Sequence, residues 1–122
     1  MGRVVAFVPD LLFGSNVLGA LRAAGMEAEL CGDAEHLPRD AAGADVLVVD
    51  LTSDADGRSA LVAGLREQGV LEGVRTLAFY SHVEAETRAL ALEAGFDEVV
   101  PRSRMAREGA ALVGRLAGVG PS

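Results

Sequence analysis

The 122-residue chain contains no lysine and no tryptophan. All eleven basic residues are arginines, so no position can supply a lysine amine. A single cysteine, Cys31, excludes an internal disulfide and agrees with a reducing compartment. Long apolar runs are missing too: the longest spans only a few residues, far short of the bilayer thickness, which argues against a membrane helix. The start, Met1-Gly2-Arg3, runs straight into Val4 to Val8 and then Pro9-Asp10, without the h-region and cleavage site of a signal peptide. A cytoplasmic protein is the expectation. The formal net charge of −7 argues against general nucleic-acid binding, which needs clustered cations. Residues 1 to 100 hold seven arginines against seventeen acids (−10), whereas residues 101 to 122 hold four arginines against Glu108 (+3), leaving the C-terminal segment locally basic.

What is present is an alternation of apolar runs and helical spacings within the length of one domain. Val46 to Val49 are four consecutive aliphatic residues followed by Asp50. An amphipathic surface strand would alternate, so this run predicts a central strand covered on both faces, with Asp50 at its C-terminal end. Further strands are expected at Arg3 to Val8, Glu27 to Cys31, Arg75 to Tyr80 and Asp97 to Val100. Helical faces are marked by Val17, Leu18 and Leu21 before Gly25, by Leu61, Val62 and Leu65 before Gly69, and by Val83, Thr87, Leu90 and Ala91 before Gly95. Each glycine stands where a helix C-cap belongs. A weak helix with Pro38 in it is expected within Asp33 to Ala42, and a last helix around Met105, Leu112, Val113 and Leu116.

Five βα units in succession imply parallel strands, right-handed crossovers and an open, doubly wound, three-layer α/β sheet. The chain is expected to form one domain over residues 1–122, with a core at about 3–117 and a loose tail at 118–122. In such sheets, ligands and catalytic groups gather beyond the carboxyl ends of the strands, where Asp50 lies. The first βα turn, Pro9 to Asn16, has one glycine, so neither a dinucleotide fingerprint nor a phosphate-binding P-loop is present. With Ser15 alone and five aromatics in all, a flavin site lacks its phosphate loop and ring walls. The cobalamin pattern D-x-H-x-x-G is missing as well, and His36 and His82 belong to no zinc motif.

With this order of elements the sequence resembles the receiver domain of two-component response regulators, a flavodoxin-like (βα)5 module phosphorylated on an aspartate, over roughly residues 3 to 117. VVAFVPD puts Pro9-Asp10 where that family has an acidic pair, and LVVD puts Asp50 at the phospho-acceptor position. AFYSH offers Ser81 for the switch hydroxyl, and LEAGFDEVVPRS matches the stretch from the fourth helix through the fifth strand. The resemblance implies strand order 2-1-3-4-5. It also implies a magnesium ion, and protein partners such as a histidine kinase or a downstream signalling protein. The sequence departs from the pattern as well. Pro9 replaces one acid, the lysine position falls on Arg102, and the loop Leu51 to Gly57 lacks the usual proline and is about one residue short. Counting from Asp50 and from Gly95 puts Tyr80, not Ser81, at the hydroxyl position unless the following loop is one residue shorter. This is an atypical, pseudo-receiver pattern.

Asp10 and Asp50 supply two carboxylates where the family has three, so only weak magnesium binding is expected. Arg102 is expected either to meet a phosphoryl group bidentately or to pair permanently with Asp50. The structural rival for Asp50 is a cap on a turn or on the next helix, and Asp10 could be a loop acid near the site or a helix-start residue. Ser81-His82-Val83-Glu84 fits a capping box, a structural rival to a switch role for Ser81. Cys31 reads as a small core residue. The expected function is a stand-alone receiver-like signalling domain acting through protein contacts, with Asp50 as candidate phosphoryl acceptor and no other enzymatic activity. Arg102, Arg104, Arg107 and Arg115 mark a basic last-helix face for a partner or a second copy, the homodimer reading. The alternative is a non-catalytic flavodoxin-like module whose crevice around Asp10, Asp50 and Arg102 holds a small anionic or polar ligand.

Overall fold

The computed structural model describes residues 2–81 and 85–118. Five strands, β1 (Arg3–Phe7), β2 (Glu27–Leu30), β3 (Val46–Asp50), β4 (Arg75–Tyr80) and β5 (Glu98–Pro101), form one parallel sheet in the order β2-β1-β3-β4-β5. Between and after them come α1 (Leu11–Ala23), α2 (Leu37–Ala41), α3 (Ala55–Glu67), α4 (Ala85–Glu93) and α5 (Arg102–Leu116). The order of elements and of strands is the one expected.

Strand alternation divides the core in two. Val5, Phe7, Leu47, Val49 and Ala78 face a layer that includes Leu37, Ala41, Val62, Leu65 and Ala91, so α2, α3 and α4 cover this side. Val4, Ala6, Val46, Val48, Leu77 and Phe79 point the other way, onto Val17 and Leu21 of α1 and Met105, Leu112 and Val113 of α5. Strand β3 lies in the middle with both faces covered. Its run of valines and leucine is therefore fully buried, as a parallel central strand requires.

Helix faces follow the expected spacing with smaller burial at their margins. Leu18, Leu61, Thr87, Leu90 and Leu116 are only half-buried, and α4 buries Ala91 alone. The weak second helix is a single short turn-and-a-half, with Pro38 in its first turn where a missing amide costs nothing. Strand β5 runs one residue later than the sequence pattern indicates. It starts at Glu98, just after Asp97, whose carboxylate accepts from the Thr76 amide at 2.8 Å and from the Thr76 hydroxyl at 3.2 Å. Asp45 does the same for the Arg3 amide at 2.7 Å. Cys31 lies one residue beyond β2 rather than ending it; it is buried, its thiol donates to the Asp33 carbonyl at 3.3 Å, and burial pushes its pKa up.

The three glycines read as C-caps all have positive φ. At Gly95 a second constraint is added, because Arg66 crosses over it to donate to the Gly95 carbonyl at 2.6 Å and to the Thr76 hydroxyl at 2.9 Å. A Cβ there would stand 2.7 Å from Arg66 Nε, whereas one at Gly25 would meet nothing within 4 Å. Gly95→Ala is therefore expected to cost about 1–3 kcal/mol, more than Gly25→Ala, whose penalty is backbone strain alone. Urea unfolding of the two variants beside the parent protein checks the ranking.

Candidate functional site

The carboxyl ends of β1, β3, β4 and β5 bring the sequence-selected residues to one edge. Phe7 pairs with Val49, Asp50 with Phe79, and Tyr80 with Pro101. The chain thus leaves β1 level with Asp50, and Asp10 after β1 and Arg102 after β5 lie at this same carboxyl edge. Asp50 is 2% exposed; its Oδ1 accepts from the Thr52 amide at 2.8 Å, so the turn after β3 is tied back to it. Its carbonyl accepts from Arg58 of α3 at 2.6 Å, and the Arg58 guanidinium lies 5.6 Å from the centre of the Phe7 ring. The turn-capping reading of Asp50 is thus met in this side chain.

Asp10 is the N-cap of α1. Its Oδ1 accepts from the amides of Leu12 and Phe13, both at 3.1 Å. Its Oδ2 receives the guanidinium of Arg102, also at 3.1 Å. The Phe13 amide first, and Arg102 beside it, hold the Asp10 carboxyl below the usual aspartate range. Asp10 is a helix-start residue and a crevice residue together.

Arg102 is the first residue of α5, placed there by Pro101, whose extended backbone caps the helix. Its ion pair is with Asp10, which corrects the expectation of a pair with Asp50. The reason lies in the ring beneath it: the guanidinium sits 4.0 Å from the centre of Phe13, and Phe13 packs on Phe79 with ring centres 5.1 Å apart. This stack directs the side chain across to α1. Arg102 consequently leaves the outer basic face of α5 to Arg104, Arg107 and Arg115. Arg104 pairs with Glu108 at 3.3 Å, while Arg107 is 73% exposed and 3.9 Å from the same carboxylate.

Tyr80 is the last residue of β4 and is buried; Ser81 is the exposed first residue beyond it. The rest of the Ser81-to-Glu84 capping box, His82, Val83 and Glu84, lies outside the described residues.

The donor set does not fit magnesium. Both Asp10 oxygens are engaged, one with two amides and one with a guanidinium, and one Asp50 oxygen holds the Thr52 amide. Magnesium demands near-ideal octahedral oxygen geometry. Among the described residues no group of three or more His, Cys, Asp or Glu side chains is placed to hold a metal ion. Sequence reading missed Phe13 and Arg58. An aromatic three residues into a helix and an arginine eight residues past Asp50 have no pattern of their own; only the folded chain joins them to the crevice.

No protein-family model matches the chain, and no curated protein matches it. Solved structures do. The receiver domain of the Francisella response regulator 1452 superposes with a TM-score of 0.82 at 16% identity, covering 97% of this chain and 98% of that one. A response regulator from Thermotoga maritima gives 0.81 at 14% identity, covering 97% and 98%. A Burkholderia pseudomallei protein described as pilus assembly-related gives 0.80 at 16% identity, covering 100% and 93%. At these identities the likeness establishes the fold alone: the chain has the five-stranded (βα)5 fold of these receiver domains. Among the described residues no helix is long and apolar enough to cross a membrane.

Asp10→Asn keeps an N-capping side chain and removes the charge that faces Arg102. Because the folded pKa of Asp10 is lowered, its charge stabilises the fold above the ordinary aspartate value of about 3.9 and ceases to do so as pH falls through the lower folded value. The stability gap between parent and Asp10→Asn is therefore expected to be open at neutral pH and to close on acidification below that ordinary value, read by urea unfolding at a series of pH values.

Proposed function

We propose that the chain is a signalling domain of the two-component type that works through protein contacts, and that its working arrangement does not depend on a phosphoryl group. One observation carries this reading: Asp10 and Arg102 pair at 3.1 Å at the carboxyl edge of the sheet, and Asp50 at the end of β3 is buried. Phosphoryl acceptance needs Asp50 as a nucleophile and neutralisation of the charge on the transferred oxygens. Here the nearby cation is already engaged with a carboxylate. Its engagement also weakens the case for a small anionic ligand in the same crevice.

The test is intact mass after incubation with acetyl phosphate and magnesium, with wild type and Asp50→Asn side by side. No adduct is expected on either protein. An adduct on wild type alone, formed by attack of the Asp50 carboxylate on phosphorus with departure of acetate, would overturn the phosphate-independent part and make Asp50 a working acceptor.

The contact surface proposed is the outer face of α5, where Arg104, Arg107 and Arg115 present positive charge on an otherwise acidic chain. It suits an acidic partner, a histidine kinase or downstream signalling protein among them, or the acidic surface of a second copy. Charge reversal at Arg104 and Arg107 is expected to weaken complexes recovered with the protein from cell extract by at least about tenfold in affinity. Unchanged recovery would remove this face from consideration.

A further inference from the structure

The mismatch between the crevice and a divalent metal has a positive counterpart. We infer that the guanidinium of Arg102 is the resident cation of this site: it neutralises Asp10 in place of a divalent ion and leaves the folded protein indifferent to magnesium. The inference deepens the receiver-like reading and rests on it.

Three features of the side chain fit this role. Arg102 is held on two sides, by Asp10 Oδ2 at 3.1 Å and by the face of Phe13 at 4.0 Å, and Phe13 is anchored in turn on Phe79. An aromatic face attracts a cation through its quadrupole, so the ring and the carboxylate pull on the same charge. The guanidinium is also permanently charged and cannot leave by deprotonation, as a displaced amine could. Lastly, its backbone position is fixed, because Arg102 opens α5 directly after Pro101 and only the side chain could swing away.

A metal ion entering at Asp10 would have to displace that charge and then find octahedral oxygens, with Asp10 Oδ1 still holding the Leu12 and Phe13 amides. With Arg102 removed, Asp10 Oδ2 loses its counter-charge at the carboxyl edge of the sheet, where β3 also ends in Asp50. The released carboxylate oxygen is then open to a divalent cation.

Manganese serves as the probe, its free concentration read by electron paramagnetic resonance in the presence of wild type, Arg102→Gln and the double variant Arg102→Gln/Asp10→Asn. Wild type is expected to bind no manganese at this site in the millimolar range, Arg102→Gln to gain affinity by at least about tenfold, and the double variant to lose that gain. Equal affinity in wild type and Arg102→Gln, or no gain on removing Arg102, overturns the inference. Should Arg102→Gln fail to fold, wild type alone decides. Its Leu12, Phe13 and Thr52 amide resonances are expected to stay fixed as magnesium is added, and a saturable shift in them overturns the inference. The outcome is separable from the mass measurement: a phosphoryl adduct on wild type refutes phosphate independence, whereas metal binding by wild type refutes the resident cation.

Discussion

A strand buried on both faces cannot carry a polar side chain along its length without stranding it in the core. Strand β3 is such a strand, and its composition obeys the constraint through Val49. The first place where the chain can turn polar is the strand's end, and there Asp50 finds the Thr52 amide waiting. The crevice is a consequence of the same geometry. Helices on both faces force the connections to the strand ends, and at the carboxyl ends the loops diverge and leave a gap. Residues that need solvent, charge or a ligand have few other places to be.

The positions of Asp10 and Arg102 extend that logic across the sheet. They lie ninety-two residues apart in sequence and meet only because β1 and β5 flank β3 and β4 while α1 and α5 share one face. Asp10 performs a local task, capping α1, and a long-range one, receiving α5's first side chain. Two helix starts are thereby joined through a carboxylate, a guanidinium and an aromatic ring. A lysine at position 102 would offer the ring a compact, strongly hydrated charge; the planar arginine can lie flat on it and still reach the carboxylate.

Much of the fold was legible in the sequence because it rests on periodicity. The apolar run ending at Asp50, the glycines after three helices and the βα alternation all arise from burial and backbone sterics that act over short spans. That Asp10, Asp50 and Arg102 follow strand ends was legible in the same way, since strand ends are fixed once strands are placed. The direction in which Arg102 points was not legible. Asp50 and Asp10 both offer a carboxylate, and the choice between them depends on Phe13, whose ring position follows from packing on Phe79 and has no trace in residue spacing. The side-chain role of Asp97 was not legible either: it reads as a strand residue in sequence and acts as a clamp on Thr76 in the fold.

The clamps made by Asp45 and Asp97, with Arg66 spanning Thr76 and Gly95, all sit at the amino ends of the strands, opposite the crevice. They divide the domain into a fastened base and an adjustable rim. Register is secured at the base by hydrogen bonds that touch none of the crevice residues, so side chains at the rim can be exchanged while the strands stay in step. In a domain built this way the constraint on strand register and the chemistry of the strand ends are carried by separate residues, so a change at one edge is not felt as misalignment at the other.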